Sequence, residues 1–261
     1  MALRYERDGS VVTLTLDRPE RRNALDEALI ASLHDRFAEL TFDRSARVVV
    51  LQGAGPAFCS GADLDWMRRA AAFSPEENQA DATRLCEMLV AFDQLPQATI
   101  CLAHGAAMAG ALGLVCAADI ALAAEGTRFG LSEVRLGLVP AIVAPFVLRA
   151  LGPRQARRWF LTAERFDAAA ARELGIVHEV VPPDRLHARA GELTGELLQG
   201  APGAIAEAKR VIGLVAANPQ GGSLVAGATV EAIAARRATA EAREGIDAFF
   251  AKRPPSWAPG G

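Results

Sequence analysis

The chain is poor in the residues that mark several large classes of protein. Aromatics make up 6% of its 261 residues, with one tyrosine and three tryptophans, so ring stacking cannot carry the core. Basic excess is absent as well: 28 Lys and Arg against 31 Asp and Glu give a net charge of −3. That balance excludes the one-signed field of a nucleic-acid-binding surface. The cysteines (Cys59, Cys86, Cys101, Cys116) are irregularly spaced and never form a CxxC pair. They read as small buried thiols of a reducing compartment. Long apolar runs are missing too. Ile100–Ala103 and Ala106–Ala118 are interrupted by His104, Gly105, Gly110 and Gly113, short of the ~20 residues a membrane span needs. Residues 1–30 alternate charged and apolar positions instead of placing an apolar stretch after a basic one, so no signal peptide is expected. A soluble, cytoplasmic protein is the expectation.

What the chain does have is alanine, 23 glycines and an apolar fraction of 51%, a composition suited to closely approaching helices and backbone. Its length suits one large α/β domain, alone or with an appendage. Period-two alternation on either side of Asp8-Gly9-Ser10 predicts a hairpin. After the turn-rich RPERRNALD (Arg18 to Asp26), Leu25, Leu29, Leu33 and Phe37 form a helical stripe. Val48–Leu51, Thr99–Ala103 and Ile120–Ala123 read as strands buried on both faces. Between them come a short helix from about Ala62 and a second opened by Ser74-Pro75-Glu76-Glu77, ending near Gln94. His104–Ala109 reads as a loop and Gly110–Ala117 as a helix. Such strand–loop–helix repetition predicts right-handed parallel crossovers. From Pro140 the pattern turns helical: Ile142–Leu151, Pro153–Leu161, Ala168–Leu174 capped by Gly175, Asp184–Gln199, Pro202–Val215 and Ser223–Phe250. One strand, Ile176–Val181, interrupts. The tail PPSWAPGG is expected to be poorly ordered.

Three stretches carry chemistry. FCSGADL (Phe58 to Leu64) and HGAAMAGALGLVCAADI (His104 to Ile120) each run from a strand through a glycine turn into a helix. Amides at a helix start lack partners and lie at the positive end of the helix dipole. Two of them aimed at one point could hold an enolate oxygen, worth ~10²–10³ in rate per donor. Taken alone, a glycine turn before a helix is most often only a turn. His104 and Asp119 read as structural hydrogen-bonding groups. In the third stretch, FGLSEVRLGLVP (Phe129 to Pro140), Glu133 has two readings. In an apolar cleft its pKa rises and it becomes a general acid/base; on the surface it would pair with Arg128 or Arg135.

In this order and spacing the three stretches resemble the enoyl-CoA hydratase/isomerase (crotonase) superfamily. The likeness runs from RPERRNALD through LTAERFDAAAARELGIVHEVV (Leu161 to Val181) to FFAKRPPSW (Phe249 to Trp257). It implies an α/β fold, a spiral of ββα units giving two sheets. Residues 1–195 would form the core with the coenzyme A and catalytic sites, and 196–261 a helical trimerisation region. It further implies an acyl-CoA thioester substrate, assembly as a homotrimer or a hexamer of two trimers, and no membrane or nucleic-acid partner. Neither a metal nor a separate cofactor is implied, since coenzyme A arrives within the substrate. Carried onto this chain, the oxyanion amides are those of Ala62 and Gly110, and the acid/base is Glu133. Arg22, Ala24, Ser60, Asp63 and Leu64 match the coenzyme A-holding stretches, and Lys252 or Arg253 would reach the phosphates.

Two departures stand out. Typical hydratases carry a second catalytic glutamate, and Gly113 stands at its place. The glycine triplet at the oxyanion loop reads Ala109-Gly110-Ala111, which keeps its shape if the alanines hold negative φ. A single glutamate fits a hydratase in which it serves twice, or an isomerase that shuttles one proton. The stretches Asp63 to Asn78 and Leu131 to Ala168 look most like bacterial hydratases of 3-methylglutaconyl-CoA and isohexenylglutaconyl-CoA, whose extra carboxylate an arginine could bind. A protein that only binds acyl-CoA is the alternative outside the enzymes.

Overall fold

A computed structural model describes residues 2–259. The hairpin comes first: β1 (Leu3–Asp8) and β2 (Val11–Leu16) pair antiparallel, with Gly9 at φ 56° in the turn. Left-handed φ at the first central position is what a tight hairpin asks of glycine. Helix α1 (Glu27–Phe42) starts where Asp26 accepts the Leu29 amide, one residue beyond Leu25 of the apolar stripe. Then come β3 (Val48–Gly53), α2 (Leu64–Ala70), α3 (Pro75–Asp93), β4 (Ala98–Ala103), β5 (Ala106–Met108), α4 (Gly110–Ala117), β6 (Ile120–Ala124) and β7 (Arg128–Gly130). The expected capping box at Ser74 and Glu77 opens α3.

Later elements are α5 (Ala144–Thr162), β8 (Phe166–Asp167), α6 (Ala168–Glu173), β9 (Glu179–Val181), α7 (Leu186–Gln199), α8 (Pro202–Ala217), α9 (Ser223–Arg237) and α10 (Ala240–Phe250). Helix α5 is broken at Gly152 (φ 73°), so it comprises the two segments that Gly152-Pro153 signalled.

The six-stranded sheet has the order β1-β2-β3-β4-β6-β9, and β2–β3, β4–β6 and β6–β9 run parallel. Residues Val48–Leu51 of β3 and the whole of β4 are buried, as their unbroken apolar runs require. Their side chains meet α1 and α3, where Phe37 stacks on Phe92 with ring centroids 4.8 Å apart. A second sheet, β5-β7-β8, has three short strands. It corrects the expected loop at His104–Ala109, because residues 106–108 pair parallel with β7. The strand expected over Ile176–Val181 is shorter: Ile176 and Val177 are buried before β9 begins.

The chain divides into two compact units. One comprises Thr99–Gly191 and the chain up to Leu95; the other comprises Pro96–Ala98 and the chain from Glu192. In the second unit the single helix expected over Ser223–Phe250 is two. The Thr239 hydroxyl accepts the Ala242 amide at 3.1 Å and starts a new helix. Threonine in an alanine-rich run competes for backbone bonds, and this was a cap signal the periodicity hid. The tail is also better fixed than composition suggested. Trp257 donates its indole N–H to the Gln199 carbonyl at 3.0 Å, lies over Gly245, and is followed by buried Ala258. Gly260 and Gly261 lie outside the described residues. Large apolar side chains stay exposed on this unit, including Ile212, Leu224, Val230 and, at 78% each, Phe249 and Phe250. No described helix is long and apolar enough to cross a membrane.

Candidate active site

Four backbone segments of the first unit are laid side by side to make the site. Ala62 forms a parallel bridge with Leu25, in which the Leu25 amide donates to Gly61 O and the Asp63 amide to Leu25 O, each at 2.8 Å. In such a bridge the flanking residues bond inward, so the N–H of Ala62 itself points away from Leu25. Cys59 bridges Ala107 in the same way, through Ala106 O (3.0 Å) and Met108 N (3.2 Å). The Ala109 amide then donates to Gly130 O at 2.9 Å, tying the start of α4 to the end of β7.

Gly61 lies directly on the neighbouring turn. A β-carbon there would stand 3.2 Å from Met108 O and 3.4 Å from the Ala109 β-carbon. The next residue on each segment is Ala62 or Gly110. Among the described residues, neither of their amides donates a hydrogen bond. Two unengaged amides on touching turns, one at the first residue of α4, can hold an oxygen that gains negative charge.

The turn has a feature contrary to expectation. Ala109 holds φ 51° and ψ −119°, not a negative φ, while Gly110 is not among the left-handed residues. This φ/ψ pair lies outside the left-handed helical basin, in a region alanine rarely occupies, and costs about 1–3 kcal/mol. The bonds of Met108 and Ala109 to their neighbours hold the turn in place.

Glu133 opens a short 3₁₀ turn (Glu133–Leu136), three residues after the Gly130 that receives Ala109. It is half-buried, and its Oε2 is buried without a hydrogen-bond partner among the described residues. Burial pushes its pKa above the usual glutamate value, against a smaller opposing pull from the Glu133 and Ser132 amides. No ion pair joins it to Arg128 or Arg135 among the described residues, so the surface-pair reading falls. Arg135 instead reaches the Thr162 carbonyl at 3.4 Å. Beyond Glu133, Leu136, Leu138 and Val139 are all more than half exposed.

Gly113 is buried one turn after Gly110. A β-carbon at this position would lie 2.7 Å from Val143 Cγ1 and 3.2 Å from Leu89 Cδ1. The place matched to a second glutamate is therefore packed by two aliphatic side chains, neither singled out by the sequence. No carboxylate fits there unless Val143 gives way.

The residues matched to coenzyme A binding are brought together but do different work. Arg22 is exposed, at φ 50°, and its carbonyl accepts the Ser60 amide at 3.0 Å. Ala24 is buried and gives its carbonyl to Arg18 at 2.7 Å. Asp63 is a helix cap: its carboxylate accepts from the Asp65 amide (2.9 Å), the Trp66 amide (3.4 Å) and Arg18 (3.1 Å). Burial opposes its charge, but these donors hold its pKa below the usual value. Leu64 is 69% exposed and free to pack on a ligand. In the second unit Arg253 is held by Glu244 at 2.7 and 2.8 Å, whereas Lys252 pairs with no carboxylate among the described residues. His104 contacts the Gly55 carbonyl at 3.0 Å, and Asp119 binds the Thr99 amide and hydroxyl at 2.8 and 2.9 Å. Both fill the structural roles expected of them. Two further residues of RPERRNALD shape the site: Arg18 and the buried Asn23, whose amide bridges Ala54 O and Ala57 O at 2.8 Å each. A polar residue between turn formers was the available signal.

The sequence family described as enoyl-CoA hydratase/isomerase matches residues 6–259. The crystal structure of an enoyl-CoA hydratase from Shewanella pealeana is similar at a TM-score of 0.94 and 40% identity, covering 98% of this chain and 96% of that one. AtuE from Pseudomonas aeruginosa is similar at 0.94 and 37%, covering 99% and 100%. A Thermus thermophilus protein, named provisionally as an enoyl-CoA hydratase, is 35% identical over 249 residues, 95% of this chain and 97% of its own. Sheet order, helices and these likenesses agree on the crotonase fold. The chain belongs to the enoyl-CoA hydratase/isomerase family.

Proposed function

We propose that the protein is an enoyl-CoA hydratase in which Glu133 performs both proton transfers. The observation that carries this reading is the half-buried carboxylate whose Oε2 has no partner among the described residues, three residues beyond the Gly130 that receives Ala109, together with the amides of Ala62 and Gly110, which donate to none of those residues. Glu133 takes a proton from water as the water oxygen bonds to C3 of the 2-enoyl thioester. The π electrons move onto C2 and the thioester oxygen, and that enolate oxygen accepts from the two amides. Protonated Glu133 then returns its proton to C2, and the enolate collapses to the 3-hydroxyacyl-CoA. The proton balance closes on one residue, which needs a pKa nearer neutrality than that of an exposed glutamate.

Arg22, Ala24, Ser60, Asp63 and Leu64 would line the coenzyme A path, mostly through backbone, with Leu64 packing on it. The scheme invokes only the coenzyme A that the substrate carries. The proposed substrate is a branched, acidic enoyl-CoA of the 3-methylglutaconyl type, on the likeness of residues 63–78 and 131–168 to hydratases of such compounds. The exposed apolar side chains of α8, α9 and α10 support assembly as a homotrimer or a pair of trimers.

One observation favours the isomerase reading. Gly113 is sealed by Val143 and Leu89, so α4 offers no second carboxylate to hold water. The test is the product formed from 3-methylglutaconyl-CoA, crotonyl-CoA and a 3-enoyl-CoA. Hydration of the acidic substrate well ahead of crotonyl-CoA is expected. Isomerisation of the 3-enoyl-CoA with neither other substrate hydrated would overturn the hydratase reading. No turnover of any would favour a binding protein.

A further inference from the structure

Arg18 lies behind the Ala62 amide and grips the backbone that aims it. Its Nη1 donates to Ala24 O at 2.7 Å and pairs with Asp26 Oδ2 at 2.8 Å. Its Nη2 pairs with Asp63 Oδ2 at 3.1 Å. Ala24 and Asp26 flank Leu25 and Asp63 follows Ala62, so one guanidinium holds both strands of the Leu25–Ala62 bridge. The side chain is largely buried, with 17% of its surface exposed. The root of the residue is fixed as well: its amide donates to Asn23 Oδ1 at 2.8 Å, and its carbonyl accepts from Arg21 and Asn23.

We propose that Arg18 is a positioning residue for the oxyanion site, setting the direction of the Ala62 N–H through Ala24, Asp26 and Asp63. This rests on the reading of that amide as an enolate donor. A planar fork reaches three acceptors on three residues at once, whereas an ammonium on a flexible stem can satisfy only part of the set. Donor alignment matters because an amide helps only where the oxyanion will sit, and small misplacements cost rate without costing binding.

The test uses Arg18→Lys and Asp26→Asn in the whole 261-residue chain. Asp26→Asn keeps the Oδ1 acceptor that caps α1 at the Leu29 amide and puts an NH2 donor where Oδ2 accepts from Arg18, removing both the charge and that contact. Each change is measured by kcat and KM on the best substrate. It is then repeated in a Glu133→Gln background, with crotonyl-CoA carrying ¹³C at its thioester carbonyl as an infrared probe. Near-ultraviolet circular dichroism checks the fold. We expect kcat to fall about 10–100-fold for Arg18→Lys and less for Asp26→Asn, with KM within about 3-fold. The carbonyl band, lowered in frequency on binding when Arg18 is present, should move back toward its value in water. Folded variants that keep both kcat and the lowered band would overturn the assignment and leave Arg18 a packing residue. Absence of any lowering with Arg18 in place would overturn the oxyanion reading itself, and the positioning role with it.

Discussion

Position 113 decides how much chemistry α4 can contribute, and its packing can be tested without any substrate. The perturbation is a cycle of Gly113→Ala, Val143→Ala and the double variant. In Gly113→Ala the added β-carbon would meet Val143 Cγ1 at 2.7 Å and Leu89 Cδ1 at 3.2 Å. Overpacking of this kind costs about 1–3 kcal/mol. Replacing a mid-helix glycine returns about 1 kcal/mol, so the net loss is about 0–2 kcal/mol. Val143→Ala removes buried methyls at about 2 kcal/mol. In the double variant the new β-carbon occupies space the valine vacated. The two losses should therefore not add, and a coupling of about 1–2 kcal/mol in favour of the pair is expected. Urea melts followed by circular dichroism measure it, with thermal midpoints moving about 2–4 °C per kcal/mol as a check. Additivity within about 0.5 kcal/mol, or a Gly113→Ala variant that gains the full helix propensity, would refute the packing argument. A carboxylate at 113 would then be admissible without moving Val143.

Two further outcomes follow from the same loops. Ala109→Gly should relieve the strain at φ 51° and ψ −119°, offset by the chain entropy of glycine. A gain of up to about 2 kcal/mol is expected in melts, and a loss of about 0.4–1 kcal/mol, the entropy of glycine alone, would mean the turn is unstrained. Glu133→Gln should raise the melting temperature at neutral pH. Burial lifts the folded-state pKa of Glu133 above its unfolded value, so its ionisation opposes folding. The stability that the protonated form gives is present in full below the unfolded pKa and is lost as pH rises through the folded one. The advantage of glutamine must therefore shrink as pH falls through the usual glutamate range. An advantage that is constant with pH would remove the burial explanation.

Much of this was legible in the sequence, for identifiable reasons. Val48–Leu51 and Thr99–Ala103 announced central strands because burial on both faces needs an unbroken apolar run. Ser74-Pro75-Glu76-Glu77 announced α3 because caps are local chemistry. The second sheet was hidden: β5, β7 and β8 have three, three and two residues, too short for a period to register. Their pairing comes from tertiary bridges such as Cys59–Ala107. Glu133 could be named from its apolar neighbours, but choosing between a buried base and a surface pair needed the position of Oε2. Val143 and Leu89 gave no signal, because a residue that fills the space above a glycine is defined only by the fold. Arg18 lay in plain view among four arginines between positions 18 and 36, and nothing local separates a clamp from a solvated charge.

The central claim is that one carboxylate, Glu133, moves every proton at a thioester enolate. Its most direct test is single-turnover hydration of 3-methylglutaconyl-CoA by the unvaried protein and by Glu133→Gln, with thioester affinity measured in parallel. The account predicts a rate loss of about 10²–10⁴-fold with affinity nearly unchanged. A Glu133→Gln protein that hydrates the substrate within about 10-fold of the parent rate would contradict it.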